Sequence, residues 1–266
     1  MKVDVVMPTK NSVKPCLKKC LDSIYSEVPV NRLIVVDGGS TDGTVDLVSR
    51  YPNVEVVYDL EGNRATARSL GLNLAKTEWI ATIDSDVILC KDWFKRARKY
   101  MTGNVGLIWG WDIVIDKHSR NRMKVMYYLR RKSEYQLMKR NFRIRGGTHD
   151  TLLKREAIEG LKIPRELHDF DDWYVKRYVE NRGYKALAPH DVYCYHMFQP
   201  NYTIHSCRRI AKYGVKYGIY SRRTVVRNFL LAIPKSLAIL LTSFDVKASV
   251  DQLKLYTFMF IEVVSP

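Results

Sequence analysis

The sequence is poor in cysteine, and its cysteines form no pattern. The five (Cys16, Cys20, Cys90, Cys194 and Cys207) make no C-x-x-C pair and no cysteine–histidine metal spacing, and their odd number leaves no complete disulfide framework. This argues against a disulfide-stapled module and suits a reducing cytosol. Cys16 and Cys20, four apart in an expected helix, read as buried apolar side chains. Long apolar runs are also lacking. Phe229 to Phe244 is interrupted by Pro234 and Lys235, Leu253 to Val264 carries Glu262, and both fall short of the ~20 residues that span a bilayer. The stretch from Met1 to Pro8 has no apolar core of signal-peptide length and reads as a strand, so export is not expected.

Acidic residues are outnumbered, 28 Asp and Glu against 44 Lys and Arg, for a formal net charge of +16. Such an excess attracts nucleotides, nucleic acid or anionic lipid surfaces. It is densest between Lys117 and Arg145, where a solvated helix face is an equally good reading of the charge pattern alone. Hydrophobic residues make up 46% of the chain, enough for a sizeable core and unlike a disordered composition. The length suits a domain of about 200 residues with an appendage.

Short β-branched runs alternate with segments of helical period. The strands expected are Val3 to Met7, Leu33 to Val36, Val54 to Tyr58 and Trp79 to Ile83; the helices lie near Pro15 to Tyr25, Thr44 to Tyr51 and Ala65 to Ala75. This rhythm predicts an α/β fold with a mainly parallel sheet covered on both faces. Ligands of such sheets bind beyond the carboxyl ends of the strands. Pro8-Thr9, Asp37 and Asp84-Ser85-Asp86 all follow strands, so three loops converge on one edge. Asp84-x-Asp86 offers two hard oxygen ligands to Mg²⁺ or Mn²⁺, although a DxD by itself also suits a solvated turn.

Taken together and in order, these segments resemble glycosyltransferase family 2. Val35-Val36-Asp37-Gly38-Gly39-Ser40-Thr41-Asp42-Gly43-Thr44 is similar to V-D-D-G-S-T-D-G-T, and Val5-Val6-Met7-Pro8-Thr9-Lys10-Asn11 to a strand followed by P-T-Y-N. Ala67 to Leu72 resembles A-R-N-x-G-L, and Trp79 to Asp86 the strand carrying DxD. Gly146-Gly147, Lys154-Arg155-Glu156-Ala157 and Phe170-Asp171-Asp172, ten residues before Gly183-Tyr184, resemble the acceptor half. The resemblance covers about residues 3 to 200.

It implies a GT-A fold and a metal-dependent inverting transfer of one sugar from a nucleotide-diphosphate donor, GDP-mannose or a UDP-sugar. Similarity to membrane-associated archaeal mannosyltransferases of minimal cellulose-synthase-like type favours GDP-mannose. Pro8, Thr9 and Asp37 would hold the nucleobase, Arg68 would pair with donor phosphate, and Asp84 would contact ribose or metal. Asp86 would be the principal ligand of Mn²⁺ or Mg²⁺, with His196 a further metal or diphosphate contact. Asp172 would be the catalytic base, leaving Asp171 to cap its helix or hold acceptor hydroxyls. Gly38, Lys10, Ser12, Ser69 and Tyr178 depart from the family's usual Asp, Tyr, Glu, Asn and Arg. Q-x-x-R-W of processive synthases is missing, which points to one sugar per encounter.

On this reading residues 1–200 form the catalytic domain, divided near 115 into a nucleotide-sugar half and an acceptor half. Residues 201–266 follow as basic, Tyr-rich and apolar helices. Phe229, Ile233, Leu237, Leu240, Leu241 and Phe244 fit one helical stripe, suited to the cytoplasmic face of the cell membrane and its anionic lipid or to core packing. The acceptor expected is a hydroxyl, as on a lipid-linked glycan, with polyprenyl phosphate as the alternative. Two other classes compete. A haloacid-dehalogenase-type phosphatase would use Asp84 as nucleophile, but that family carries its DxD on the first strand. A non-enzymatic membrane- or nucleic-acid-binding module explains the charge and leaves the acidic loops without a role, so no nucleic-acid partner is expected.

Overall fold

β1 (Val3–Thr9) is buried along its whole length, as a strand covered on both faces must be. In the computed structural model, which describes residues 1–197 and 202–265, it is followed by α1 (Leu17–Glu27), β2 (Val30–Asp37), α2 (Thr44–Val48), β3 (Val54–Tyr58), α3 (Arg64–Leu74) and β4 (Trp79–Ile83). This is the alternation expected from the apolar periodicity. Next come β5 (Val87–Leu89), α4 (Trp93–Arg98), β6 (Val105–Trp109), β7 (Trp111–Val114), α5 (Lys117–Arg130) and α6 (Glu134–Arg145). β8 (Asp150–Lys154), α7 (Asp171–Asn181), β9 (Lys185–Leu187) and β10 (Tyr193–His196) complete the strands. The chain ends in α8 (Ile204–Lys216), α9 (Arg222–Leu230), α10 (Ala232–Ser243) and α11 (Val246–Val264).

Seven strands form the main sheet in the order β3-β2-β1-β4-β8-β6-β9. β1 pairs in parallel with both β2 and β4, so consecutive strands leave it in opposite directions, and the crevice of such a switch point takes ligands. The register sets Thr9 beside Asp37 and Asp37 beside Tyr58, which brings the strand ends to one level. β8 alone runs antiparallel to its neighbours β4 and β6. A three-stranded sheet, β5-β10-β7, stands apart. In it His196 lies opposite Val87, the residue after Asp86.

The core beneath the cleft joins Leu17, Cys20, Leu21 and Ile24, one apolar face of α1, to Val5, Met7, Leu33, Val35 and Trp93. Each such fully buried side chain contributes about 1.5–3 kcal/mol relative to exposure. All five cysteines are buried, and none forms a disulfide.

The chain forms two compact units, Met1–Ile113 with Met138–Met197, and Val114–Leu137 with Phe198–Pro266. The first holds the main sheet. The expected boundary, between residues 200 and 201, lies outside the described residues, but the grouping of 114–137 with the C-terminal helices differs from the sequence reading. α5 is highly basic, and its apolar Val125 is buried against Ile239 of α10 and Ala248 of α11. Its start is tied to that of α11: the Asp245 carboxylate lies 2.8 Å from His118 Nδ1 and 2.9 Å from Asn121 Nδ2, and caps Ala248 N–H at 3.0 Å. Burial opposes its charge, yet these bonds hold Asp245 at about 2.

The expected continuous stripe from Phe229 to Phe244 is broken. α9 and α10 meet at a bend of 43°, because Pro234 has no N–H for the continuing helix and is tolerated only in the first turn of a new one. Phe229 stacks on Phe260 of α11 at 4.1 Å between ring centroids. Ile233, Leu237, Leu241 and Phe244 are 67%, 53%, 65% and 85% exposed. Among the described residues no single helix is long and apolar enough to cross a membrane. The second apolar stretch lies within α11, where Glu262 accepts from Arg208 Nε of α8 at 2.6 Å.

Candidate active site

The loops after β1 and β4 meet over a cleft of about 370 Å³, whose lining includes Pro8, Thr9, Lys10, Arg64, Asp84 and Asp86. Hydroxyl groups stitch these loops together. Thr9 Oγ1 donates to Ser12 Oγ at 2.7 Å, and Ser85 Oγ, between the two carboxylates, donates to the same atom at 2.9 Å. Ser12 therefore ties the loop after β1 to the DxD turn.

Arg68 is not where the resemblance put it. It has no exposed surface, and its guanidinium is committed to protein: Nε donates to Asp171 at 2.7 Å, Nη2 to Asp84 at 2.8 Å, and Nη1 to the Thr82 hydroxyl and the Thr148 carbonyl. It clamps α3 to the DxD turn and to α7, and with no exposed surface it is not part of the cleft lining. Burial works against the charge of Asp84, but Arg68 and Arg64 hold its carboxyl at about 2. The guanidinium that does line the cleft is that of Arg64, one helical turn earlier, together with the ammonium side chains of Lys10 and Lys14. The Asn63 capping box, with Asn63 Oδ1 accepting from Ala65 N at 3.0 Å and Thr66 Oγ1 from Asn63 N at 2.7 Å, starts α3 there. Arg64 is anchored by donating to the His168 carbonyl at 2.6 Å, and 46% of its side chain remains exposed. Removing one member of a buried ion network costs about 3–5 kcal/mol. Arg68→Met, which strands Asp84 and Asp171, should lower unfolding stability by that amount in a urea titration; a change under about 0.5 kcal/mol, usual for a surface site, would show the clamp to be dispensable.

Asp37 is likewise fully buried and turned to its own loop. Its carboxylate accepts from the backbone N–H groups of Gly39 and Ser40, both at 2.8 Å, and from the Ser40 hydroxyl. In the structure these bonds shape the loop after β2. Two departures from the family pattern prove to be coupled. The Lys10 stem lies across Gly38, and a Cβ at that glycine would sit 3.1 Å from Lys10 Cδ.

Asp86 and His196 lie side by side, with His196 Nε2 3.4 Å from Asp86 Oδ1. On its other side, His196 Nδ1 is 3.3 Å from Asp112 Oδ2. Burial disfavours a charged imidazole, yet the two flanking carboxylates raise His196 to about 10. With Asp84 and Asp86 lining the cleft as hard oxygen donors and the His196 ring beside Asp86, the donor set fits a divalent cation such as Mn²⁺ or Mg²⁺.

Asp171 and Asp172 open α7 but are used differently. Asp171 is 3% exposed and bonded to Arg68, with Arg64 Nε at 3.6 Å; it does not cap the helix. Asp172 keeps 21% of its side chain exposed and has Arg145 Nη2 at 3.6 Å. Burial, with the neighbouring Asp171 charge, raises the Asp172 pKa against the pull of Arg145. Gly146, at φ +86°, packs against the Asp172 carbonyl, so a side chain there would displace the start of α7.

Sequence reasoning missed Arg64, Asp112 and His149. Arg64 shares a helix face with Arg68 at i, i+4, a signal that was present. Asp112 is an acidic residue in an otherwise apolar strand, Trp111-Asp112-Ile113-Val114.

The chain matches the model of Glycosyl transferase family 2 over residues 4–161. It is 22% identical to glycosyltransferase AglE of Haloferax volcanii over 243 residues, which cover 87% of this chain and 79% of that protein. Among solved structures it is similar to the mannosyltransferase PcManGT from Pyrobaculum calidifontis in complex with GDP-Man and Mn²⁺, with a TM-score of 0.63 and 18% identity over 99% of this chain and 86% of the other. It is similar also to Staphylococcus aureus TarS 1–349 in complex with UDP-GlcNAc, with a TM-score of 0.56 and 17% identity over 100% and 82%. These likenesses support the GT-A fold. A DxD after the fourth strand does not suit the phosphatase alternative, and with the family match spanning more than half of its length the chain belongs to glycosyltransferase family 2.

Proposed function

We propose that the protein transfers one sugar, with inversion, from a nucleoside-diphosphate sugar to a hydroxyl acceptor at the cytoplasmic face of a membrane. The donor is GDP-mannose, with a UDP-sugar as the other candidate, and the acceptor is a lipid-linked glycan. The observation that carries this reading is the Asp84-x-Asp86 turn at the β1/β4 switch point, opening on a cleft lined by Pro8, Thr9 and Arg64. Asp84, Asp86 and His196 hold Mn²⁺ or Mg²⁺, which when bound supplies charge neutralisation for the departing diphosphate. Arg64 adds a guanidinium for phosphate. Asp172 takes the proton of the attacking hydroxyl, and Asp171 keeps the start of α7 in place through Arg68.

GDP-mannose is favoured by the likeness to PcManGT, solved with GDP-Man, while the likeness to TarS, solved with UDP-GlcNAc, is of similar strength. A thermal-shift panel distinguishes them. Ligand at about 100 times its Kd stabilises by about 2.7 kcal/mol, so GDP-mannose with Mn²⁺ should raise Tm by about 5 °C or more. A shift only with UDP-sugars would reverse the donor, and no shift with any nucleotide sugar would sink the reading.

The membrane reading rests on the exposed row Ile233, Leu237, Leu241 and Phe244 and on the basic excess of the chain. Each Lys or Arg near an anionic surface gains about 1 kcal/mol, and the apolar row adds burial. The full chain should cosediment with phosphatidylglycerol-containing vesicles at low salt, and Ile233→Glu/Leu241→Glu should lose most of that binding while keeping its Tm. Absence of vesicle binding by the unaltered chain would end this part of the proposal.

A further inference from the structure

Behind the DxD turn, Asp112 and His149 extend the proposed metal site into a partly buried polar cluster. Asp112 on β7 and His196 on β10 occupy adjacent strands of the small sheet, and Asp86 immediately precedes β5, the third strand. Neighbouring strands lie about 4.8 Å apart, so the three side chains can meet in a row. His196 Nδ1 faces Asp112 Oδ2 at 3.3 Å, while Nε2 faces Asp86 Oδ1 at 3.4 Å. Both carboxylates can only accept, so each favours a hydrogen on the ring nitrogen it faces; a cation held at Asp86 would displace the hydrogen on Nε2, while Asp112 would keep the one on Nδ1.

His149 completes the setting without being a ligand. Its ring lies 4.9 Å from that of His196, and its Nε2 is 3.9 Å from the other Asp112 oxygen. Both its nitrogens are engaged. The Trp109 indole N–H, which can only donate, points at Nε2 at 3.2 Å, which makes Nε2 an acceptor and places the hydrogen on Nδ1. Nδ1 in turn lies 2.8 Å from Asp150 Oδ1. The Asp112, His149 and His196 donor atoms lie close enough together to suggest a metal site of their own, but this tautomer leaves His149 no lone pair to give.

We infer that Asp112 is a positioning residue for the metal: it fixes the tautomer and ring orientation of His196, so that His196 is the single nitrogen ligand beside Asp86. The inference rests on the proposal that Asp86 and His196 hold Mn²⁺. Asp112→Ala should weaken Mn²⁺ binding about 10- to 100-fold, the usual effect of losing such a partner. The test is an EPR titration with Mn²⁺ alone, alongside unfolding measured in chelator. Asp112→Asn, which keeps an acceptor oxygen, should recover most of the affinity. In a His196→Ala background the Asp112→Ala change should do nothing further, whereas a merely structural role would still weaken binding there. Spin-echo spectra of the Mn²⁺ form should show one ¹⁴N coupling, lost in His196→Ala. Equal affinities in Asp112→Ala and the unaltered protein, or two coupled nitrogens, overturn the inference alone. No Mn²⁺ uptake by the unaltered protein overturns the metal proposal as well.

Discussion

Asp172→Asn should lower kcat by roughly 10²- to 10⁴-fold with donor affinity nearly unchanged. The asparagine keeps the shape and can still accept from Trp173 N–H, as Asp172 Oδ1 does at 2.8 Å, but it cannot take a proton. Adjacent residues on a helix point about 100° apart, and here the two carboxylates are separated in role. Asp171 is neutralised by Arg68, whereas Asp172 is partly exposed with only a 3.6 Å approach from Arg145. A base must be ionised to act. Because burial raises the Asp172 pKa, activity should fall, as pH is lowered, at a higher pH than an ordinary carboxylate would give. That limb should vanish in Asp172→Asn. Initial rates across pH with saturating donor provide the check. Undiminished turnover in the variant would remove Asp172 from the mechanism, and efficient transfer by both forms to polyprenyl phosphate, an acceptor already anionic, would replace the hydroxyl acceptor.

Asp86→Ala should abolish measurable transfer together with the Mn²⁺ dependence of nucleotide-sugar binding. Charge stabilisation of a departing diphosphate by a cation is worth several kcal/mol, a loss of about 10³-fold or more. Asp86 carries more of this than Asp84, whose carboxylate already faces the Arg68 guanidinium at 2.8 Å, whereas Asp86 faces the His196 ring, with Nε2 at 3.4 Å. Fold damage is not expected, since 28% of the Asp86 side chain is exposed. Isothermal titration of nucleotide sugar with and without Mn²⁺, and the same assay in excess chelator, decide it. Full activity in either condition is the result that would be incompatible with a metal at this turn.

The strands that carry the site were legible because their signal is local. Val3 to Met7, Leu33 to Val36 and Trp79 to Ile83 are buried on both faces and read as apolar runs broken only by Asp4 and Thr82. Asp84, Asp86, Pro8 and Thr9 were legible for the same reason, standing at strand ends where a parallel sheet places its ligands. The C-terminal stripe misled because apolar spacing does not report a helix break, and only the Pro234 backbone chemistry did.

By itself, then, the sequence determined the parallel half of the sheet, the edge on which the cleft opens and the family motifs, all of which depend on residues near one another in the chain. The tertiary structure alone decided which guanidinium is spent and which is available. Arg68 finds Asp84 and Asp171, 16 and 103 residues away, while Arg64, alike in sequence terms, stays at the cleft. It also decided that Asp112 meets His196 across 84 residues. An ionic or hydrogen-bonded partner is set by which strands lie side by side, and that order follows from packing the whole sheet rather than from any short window of residues.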